Sequence, residues 1–328
     1  MKIEKILILS AFMSGAISAC SSGSSSSGGS TQVFASVKVP TTTYASKFAL
    51  YTSVAGGPVT LTEIDTGSDF LLIESSYVGS NIVMTNESIT YTYDHGTNPR
   101  SGYLGYTTVS FLNGESGGSI ISTNNQVPVI VVADGVVNPN PKQNHAILGL
   151  RMDSNVSAKL FLPYPYNQAF IFDAPKSEIT FGYFTESQLA DFGNVQLSES
   201  SCNSYGVSSS ASPSCWNDMA VPVDYIISGA PNPVIQYNSL FDSGASSSFQ
   251  FSPLPSWLDV NKDGNIVNTI KADIVTSLGV MPIYLTDPVA AYDSNYNGGI
   301  VNVGNNIFNY YQVLFDQQSG NIGLNRIK

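Results

Sequence analysis

From Thr31 onward apolar and polar residues alternate over short runs, and turn-forming residues separate the runs at intervals of about ten. KFALYTSV, SITYTY, YTTVSF, VPVIVV, AFIFD and EITFGYF in the first half have the period-2 pattern or β-branched content of strands. AVPVDYII, VIQYNSLFD, SSFQFS, MPIYLT, VNVG and YYQVLFD continue the style in the second half. Helical periodicity is confined to TESQLADFG, with Thr185 as N-cap and Gly193 past the end, and to a turn or two in IFNYYQ. The chain is therefore expected to be all-β.

One run breaks its own pattern. In TEIDTGSDFLLI, residues 62–73, Asp65 stands in an apolar setting, where a charge is costly unless it is paired, hydrogen-bonded or used. Taken alone, Asp65-Thr66-Gly67 reads most simply as a tight turn. A second copy changes that reading. SLFDSGASSSFQF, residues 239–251, repeats the order: hydrophobics, Asp242, a small hydroxyl residue, Gly244, a small residue, an apolar stretch. Each half also has an apolar element before a glycine further on, Ile147-Leu148-Gly149 and, more loosely, Val301-Asn302-Val303-Gly304.

Two facing carboxylates can hold one water, and like charges at short distance share a proton instead of both ionising. One then serves as general base on the water and the other as general acid toward a peptide carbonyl. The hydroxyls of Thr66 and Ser243 suit a bond between the loops, and Gly67 and Gly244 allow close backbone approach. Ser68 follows in the first loop. This chemistry needs no nucleophilic Ser or Cys, no metal and no cofactor.

Composition narrows the setting. The 328 residues suffice for two lobes with real cores. Only 11% of residues are charged, and the net charge of −11 repels nucleic acid, which is not expected as a partner. Ile6 to Ile17 is apolar but too short to span a bilayer. It ends at Ile17-Ser18-Ala19-Cys20, which resembles a bacterial lipoprotein signal, with residues 1–19 removed and Cys20 lipidated. The Ser/Gly-rich residues 20–31 then form a tether, and Ser21 implies outer-membrane sorting in the cell envelope. An ordinary secretory signal is the alternative. In that oxidising setting Cys202 and Cys215 are expected to pair. With only two histidines, neither near a cysteine pair, no metal site is expected.

Over residues 32 to 328 the chain resembles the pepsin-like aspartic peptidases. EIDTGS is similar to their first catalytic loop, LFDSGAS to their second, and SITYTYDHGTNPRSGYLGYTTVSF to their flap hairpin. AILGL is similar to the element behind the first Asp, and VGNNIFNYYQVLFDQQSGNIGLNRIK to the C-terminal signature. The resemblance implies a bilobal fold with a cleft, residues 32–184 and 185–328 forming the lobes. It implies Asp65 and Asp242 as the catalytic pair and Tyr91 as the flap tyrosine, with Tyr93 its rival. The substrate would be an extended polypeptide. Both loops lie in one chain, so a monomer is expected. A basic prosegment would stand where only the tether lies, so no such zymogen switch is expected.

The sequence departs from that pattern in places. Leu72 stands where the family often has a Trp bonded to the flap tyrosine, and the flap is longer, with His95 and Arg100. Ala245 stands where many members have a hydroxyl that stabilises the second carboxylate. Its loss predicts a raised dyad pKa and an optimum less acidic than a gastric enzyme's, above about pH 3. Glu63 shares a strand face with Asp65. It is either a third cleft carboxylate favouring a basic or polar substrate side chain, or a residue twisted to the rim. DVNKDGNIVNTI, residues 259–270, imitates a calcium loop but ends in Ile270 where Glu is needed, so a hairpin turning at Asp263-Gly264 is preferred. Two competing readings are a pepsin-like protein that binds peptides without cutting, and an adhesive lipoprotein whose D-x-G segments are only turns.

Overall fold

The computed structural model describes residues 33–44, 46–93, 98–124, 126–138, 143–245, 250–252, 255–261, 266–284 and 299–327. Cys20, His95 and the Asp263-Gly264 turn lie outside these residues.

The alternating runs form strands. Lys47–Val54 carries KFALYTSV, Val127–Val132 carries VPVIVV and Ala169–Asp173 carries AFIFD. Helix is brief. Glu186–Leu189 forms a short helix in which Thr185 and Gln188 make a reciprocal capping box, and Ile307–Tyr310 forms another. None is long and apolar enough to cross a membrane among the described residues.

Three large sheets organise the described residues. A ten-stranded sheet draws its strands from residues 42–149, and a six-stranded sheet from residues 221–302. A third, six-stranded and antiparallel, joins both halves. At its centre Ala169–Asp173 pairs with Tyr311–Asp316, and each opens a hairpin, to Glu178–Tyr183 and to Asn321–Arg326. The expected lobe boundary at 184/185 falls within this shared sheet. Phe170 stacks on Phe315, and Phe172 meets Phe308 edge to face, so the core is continuous across both halves.

The internal repeat reappears as topology. Ala146–Gly149 lies parallel to Thr60–Asp65, with Ile147 opposite Glu63. Ile300–Asn302 lies parallel to Ile235–Leu240, with Asn302 opposite Leu240. The strand before each D-x-G is thus flanked by the apolar-Gly element of its own half, in the same register.

Cys202 and Cys215 are bonded, with Cα atoms 5.2 Å apart. The bond closes a loop that packs back on the first half, where Tyr106 donates to Ser208 O at 3.1 Å and Ser209 to Asn155 O at 2.6 Å. Replacing both cysteines by serine is expected to cost about 3 kcal/mol, the closure entropy of a loop this size. Urea unfolding measures it, and a loss below about 1 kcal/mol would show that the loop is held by its other contacts. On either side of the expected Asp263-Gly264 turn, Val260 forms an antiparallel bridge with Ile266, and Val267 N donates to Asp259 O at 3.0 Å. No cluster suited to a metal ion occurs among the described residues.

Candidate active site

Asp65 ends the strand Thr60–Asp65, and Asp242 follows Ile235–Leu240 by two residues. The loops beyond them are locked to each other. Thr66 N donates to Ser243 Oγ at 3.1 Å, and Ser243 N to Thr66 Oγ1 at 2.9 Å. The same hydroxyls donate onward, Thr66 to Phe241 O at 2.6 Å and Ser243 to Ile64 O at 2.8 Å. All four bonds are buried, so the two turns cannot move apart without stranding polar groups. Thr66→Val keeps the shape but leaves Ser243 N and Phe241 O without that partner. It should cost about 2–4 kcal/mol in urea unfolding, and a loss below about 0.5 kcal/mol would mean the lock is incidental.

The lock brings the carboxyl groups together. Asp65 and Asp242 are near enough that Asp242 acts directly on the Asp65 carboxyl. Each glycine lies against the other loop's acid: a Cβ on Gly67 would fall 2.6 Å from Asp242 Cγ, and one on Gly244 2.5 Å from Asp65 Cγ. Asp65 accepts from Gly67 N at 2.8 Å and from the Ser68 hydroxyl. Asp242 accepts from Gly244 N at 2.8 Å, Ala245 N at 3.3 Å and Asn302 Nδ2 at 2.7 Å. Burial pushes the Asp65 carboxyl well above the ordinary carboxylate range, and Asp242 and Glu63 push it further.

The site occupies a cleft of about 680 Å³ whose lining includes both acids, Glu63, Lys47, Tyr91, Tyr93 and Asn302. Glu63 is buried beside the dyad and not at the rim. Its charge is already engaged: Lys47 Nζ lies 2.6 Å from Oε1 and Asn144 Nδ2 donates to Oε2 at 3.0 Å. Burial acts to lower the Lys47 pKa, but Glu63, Asp65 and Asp242 overcome it and the net shift is upward. Burial raises Glu63 against the pull of Lys47. Lys47 and Asn144 thus place a donor on each oxygen of Glu63. The group left partly open to the cleft is Lys47, whose side chain is 34% exposed. A free carboxylate awaiting a basic side chain is therefore not what this position offers.

The hairpin of Val83–Tyr93 and Asn98–Thr107 forms one wall. Tyr91 lines the cleft, but its hydroxyl is committed: it donates to Asp69 Oδ2 at 3.0 Å and accepts from Asp69 N at 3.1 Å. Tyr205, from the disulfide loop, donates to the same oxygen at 2.5 Å and meets the Tyr91 ring edge to face. Asp69 thus partners the Tyr91 hydroxyl where the family often has a Trp, and Leu72, which stands at that position, packs in the same cluster as the Tyr91 ring. Tyr93 is the tyrosine that feels Asp65 and Glu63, which, after burial, raise its pKa. Its hydroxyl is buried and has no hydrogen-bond partner among the described residues.

The fold matches that of a solved protein. The aspartic proteinase from Irpex lacteus superposes with a TM-score of 0.58 at 14% identity, covering 90% of this chain and 98% of that one. The chain has the pepsin-like bilobal β fold. No protein-family model and no curated protein sequence matches it.

Proposed function

We propose that the protein is an aspartic endopeptidase. One observation carries this reading: two neighbouring carboxyl groups, each cradled by donors, meet on loops locked by Thr66 and Ser243 and line one open cleft. Asp65, its pKa raised by burial and by Asp242, holds the shared proton. Asp242, with three N–H donors, carries the charge and accepts a proton from water as the oxygen attacks the scissile carbonyl. Asp65 gives its proton to the carbonyl oxygen. The resulting gem-diol collapses as Asp242 returns its proton to the leaving nitrogen and a diol hydroxyl proton passes to Asp65. The C–N bond breaks and the dyad regains its single proton.

Tyr91 and its rival Tyr93 both line the cleft wall, and Asp69 holds the Tyr91 hydroxyl where the family often uses a Trp, so Tyr91 keeps the substrate-binding role that the resemblance gave it. The substrate is an extended polypeptide, and both acids come from one chain, so a monomer suffices. The lipid anchor at Cys20 and an envelope location are proposed on the sequence alone; an intact mass of the membrane-extracted protein lacking a diacylglyceryl adduct would rule the anchor out.

The test is cleavage of a mixed peptide library by the purified protein from acidic to neutral pH. Cutting that pepstatin inhibits is expected, with an optimum above about pH 3 because Asp65 is held protonated. Peptides bound but never cut at any pH would establish the binding reading instead.

A further inference from the structure

The two halves of the dyad are built alike except for one donor. In the first half the Ser68 hydroxyl reaches Asp65 Oδ2. The matching position in the second half is Ala245, which has no hydroxyl. Each half also sets two residues side by side at the foot of its acid, one preceding the Asp by two positions and one on the parallel strand. They are Glu63 and Ile147 in the first half, and Leu240 and Asn302 in the second. Asn302 therefore stands where the first half has an apolar Ile147.

Asn302 is 3% exposed, in a strand otherwise composed of Ile300 and Val301. An uncompensated amide there would be costly. Both ends are used. Its Nδ2 donates to Asp242 Oδ2 at 2.7 Å, and its Oδ1 accepts from Gly304 N at 2.8 Å. The second bond fixes the orientation of the amide, so the NH₂ group can only face the carboxylate.

We propose that Asn302 is the positioning residue for Asp242, supplying from the neighbouring strand the donor that Ala245 cannot supply from the loop. The proposal rests on the peptidase reading for its catalytic consequence, not for its geometry. Asn302 holds Oδ2 while Gly244 N and Ala245 N hold Oδ1, so the carboxylate is gripped at both oxygens. The charged groups around it are Asp65, Glu63 and Lys47. Asn302 is a neutral donor among them and favours the ionised form.

The experiment compares the unaltered protein with Asn302→Leu, Ala245→Ser and the two combined. Dyad ionisation is followed by ¹³C NMR of labelled aspartate carboxyls, with Asp242→Asn assigning the signal, and kcat by peptide cleavage. Asn302→Leu should raise the apparent pKa of the dyad by about one unit or more and lower kcat about tenfold or more. Adding Ala245→Ser should reverse most of both changes, because the hydroxyl restores a donor to the same oxygen. Ala245→Ser alone should move the titration by less than about half a unit, since Oδ2 is already held. An unmoved titration in Asn302→Leu, or additive effects of the two substitutions, overturns the proposal. Should Asn302→Leu not fold, Ala245→Ser alone still decides: a large downward shift would mean that Oδ2 was not held by Asn302. If the unaltered protein cuts no peptide, the peptidase reading fails while the titration still answers for Asn302.

Discussion

A single methyl group at Gly244 is expected to abolish peptide hydrolysis. Its carbon would lie 2.5 Å from Asp65 Cγ and 2.6 Å from Oδ1, and the corresponding methyl at Gly67 would lie 2.6 Å from Asp242 Cγ. Carbon atoms in contact settle at about 3.5–4.0 Å, so the overlap is about 1 Å. Neither acid can swing away freely, because each is tied to the amide of its own glycine. The loops would have to separate, and the Thr66–Ser243 lock opposes that. A displacement of about 1 Å at a reacting group costs about 100-fold, and loss of the shared proton geometry adds to it, so a fall in kcat/KM of about 1,000-fold or more is expected for Gly244→Ala. Circular dichroism should show the β fold retained. Activity within about tenfold of the unaltered protein would mean the carboxyl groups do not work at this separation.

Asp65→Asn is expected to abolish activity and yet stabilise the fold increasingly as pH rises. Burial, Asp242 and Glu63 raise the Asp65 pKa in the folded protein above that of the unfolded chain. A group shifted in this direction contributes its stability fully below the unfolded pKa and loses it as pH rises through the folded pKa. At neutral pH the unaltered protein therefore carries a penalty for ionising, or for holding a proton that the unfolded chain would release. An amide has no proton to lose and does not repel Asp242, so the penalty disappears. The difference in thermal midpoint between variant and unaltered protein should be small near pH 3 and grow toward pH 7. A difference that is constant with pH, or that favours the unaltered protein at pH 7, would contradict the raised pKa.

The D-x-G loops and the strand plan were legible because both depend on local rules. Alternation sets strand faces, and an acid followed by a small hydroxyl residue and a glycine after an apolar run needs donors that its own turn supplies. Gly67 N and Gly244 N do supply them. What stayed hidden depends on contacts between distant segments. Lys47 reaches Glu63 because Ala49 pairs with Glu63 across two antiparallel strands, which makes Lys47 its diagonal neighbour. Alternation could give the faces but not this register, so Glu63 read as a free carboxylate or a rim residue. Asp69 and Tyr205 are joined only when the disulfide loop folds back onto the first half. Asn302 had a signal in the sequence: it is an amide in an apolar element whose counterpart is Ile147. It read as a loose copy of the repeat because the partner that explains it, Asp242, is far away along the chain.

The central claim is that Asp65 and Asp242 act as one unit with one proton. Single-turnover cleavage of a substrate peptide by Asp65→Asn, Asp242→Asn and the double variant tests it most directly. Groups that work as a unit lose nearly everything on the first removal. Each single substitution should lower the rate about 1,000-fold or more, and the double variant should be no slower than the worse single one. If one single variant keeps most of its rate, or if the two losses multiply in the double variant, the carboxyl groups act separately and the shared-proton mechanism is wrong.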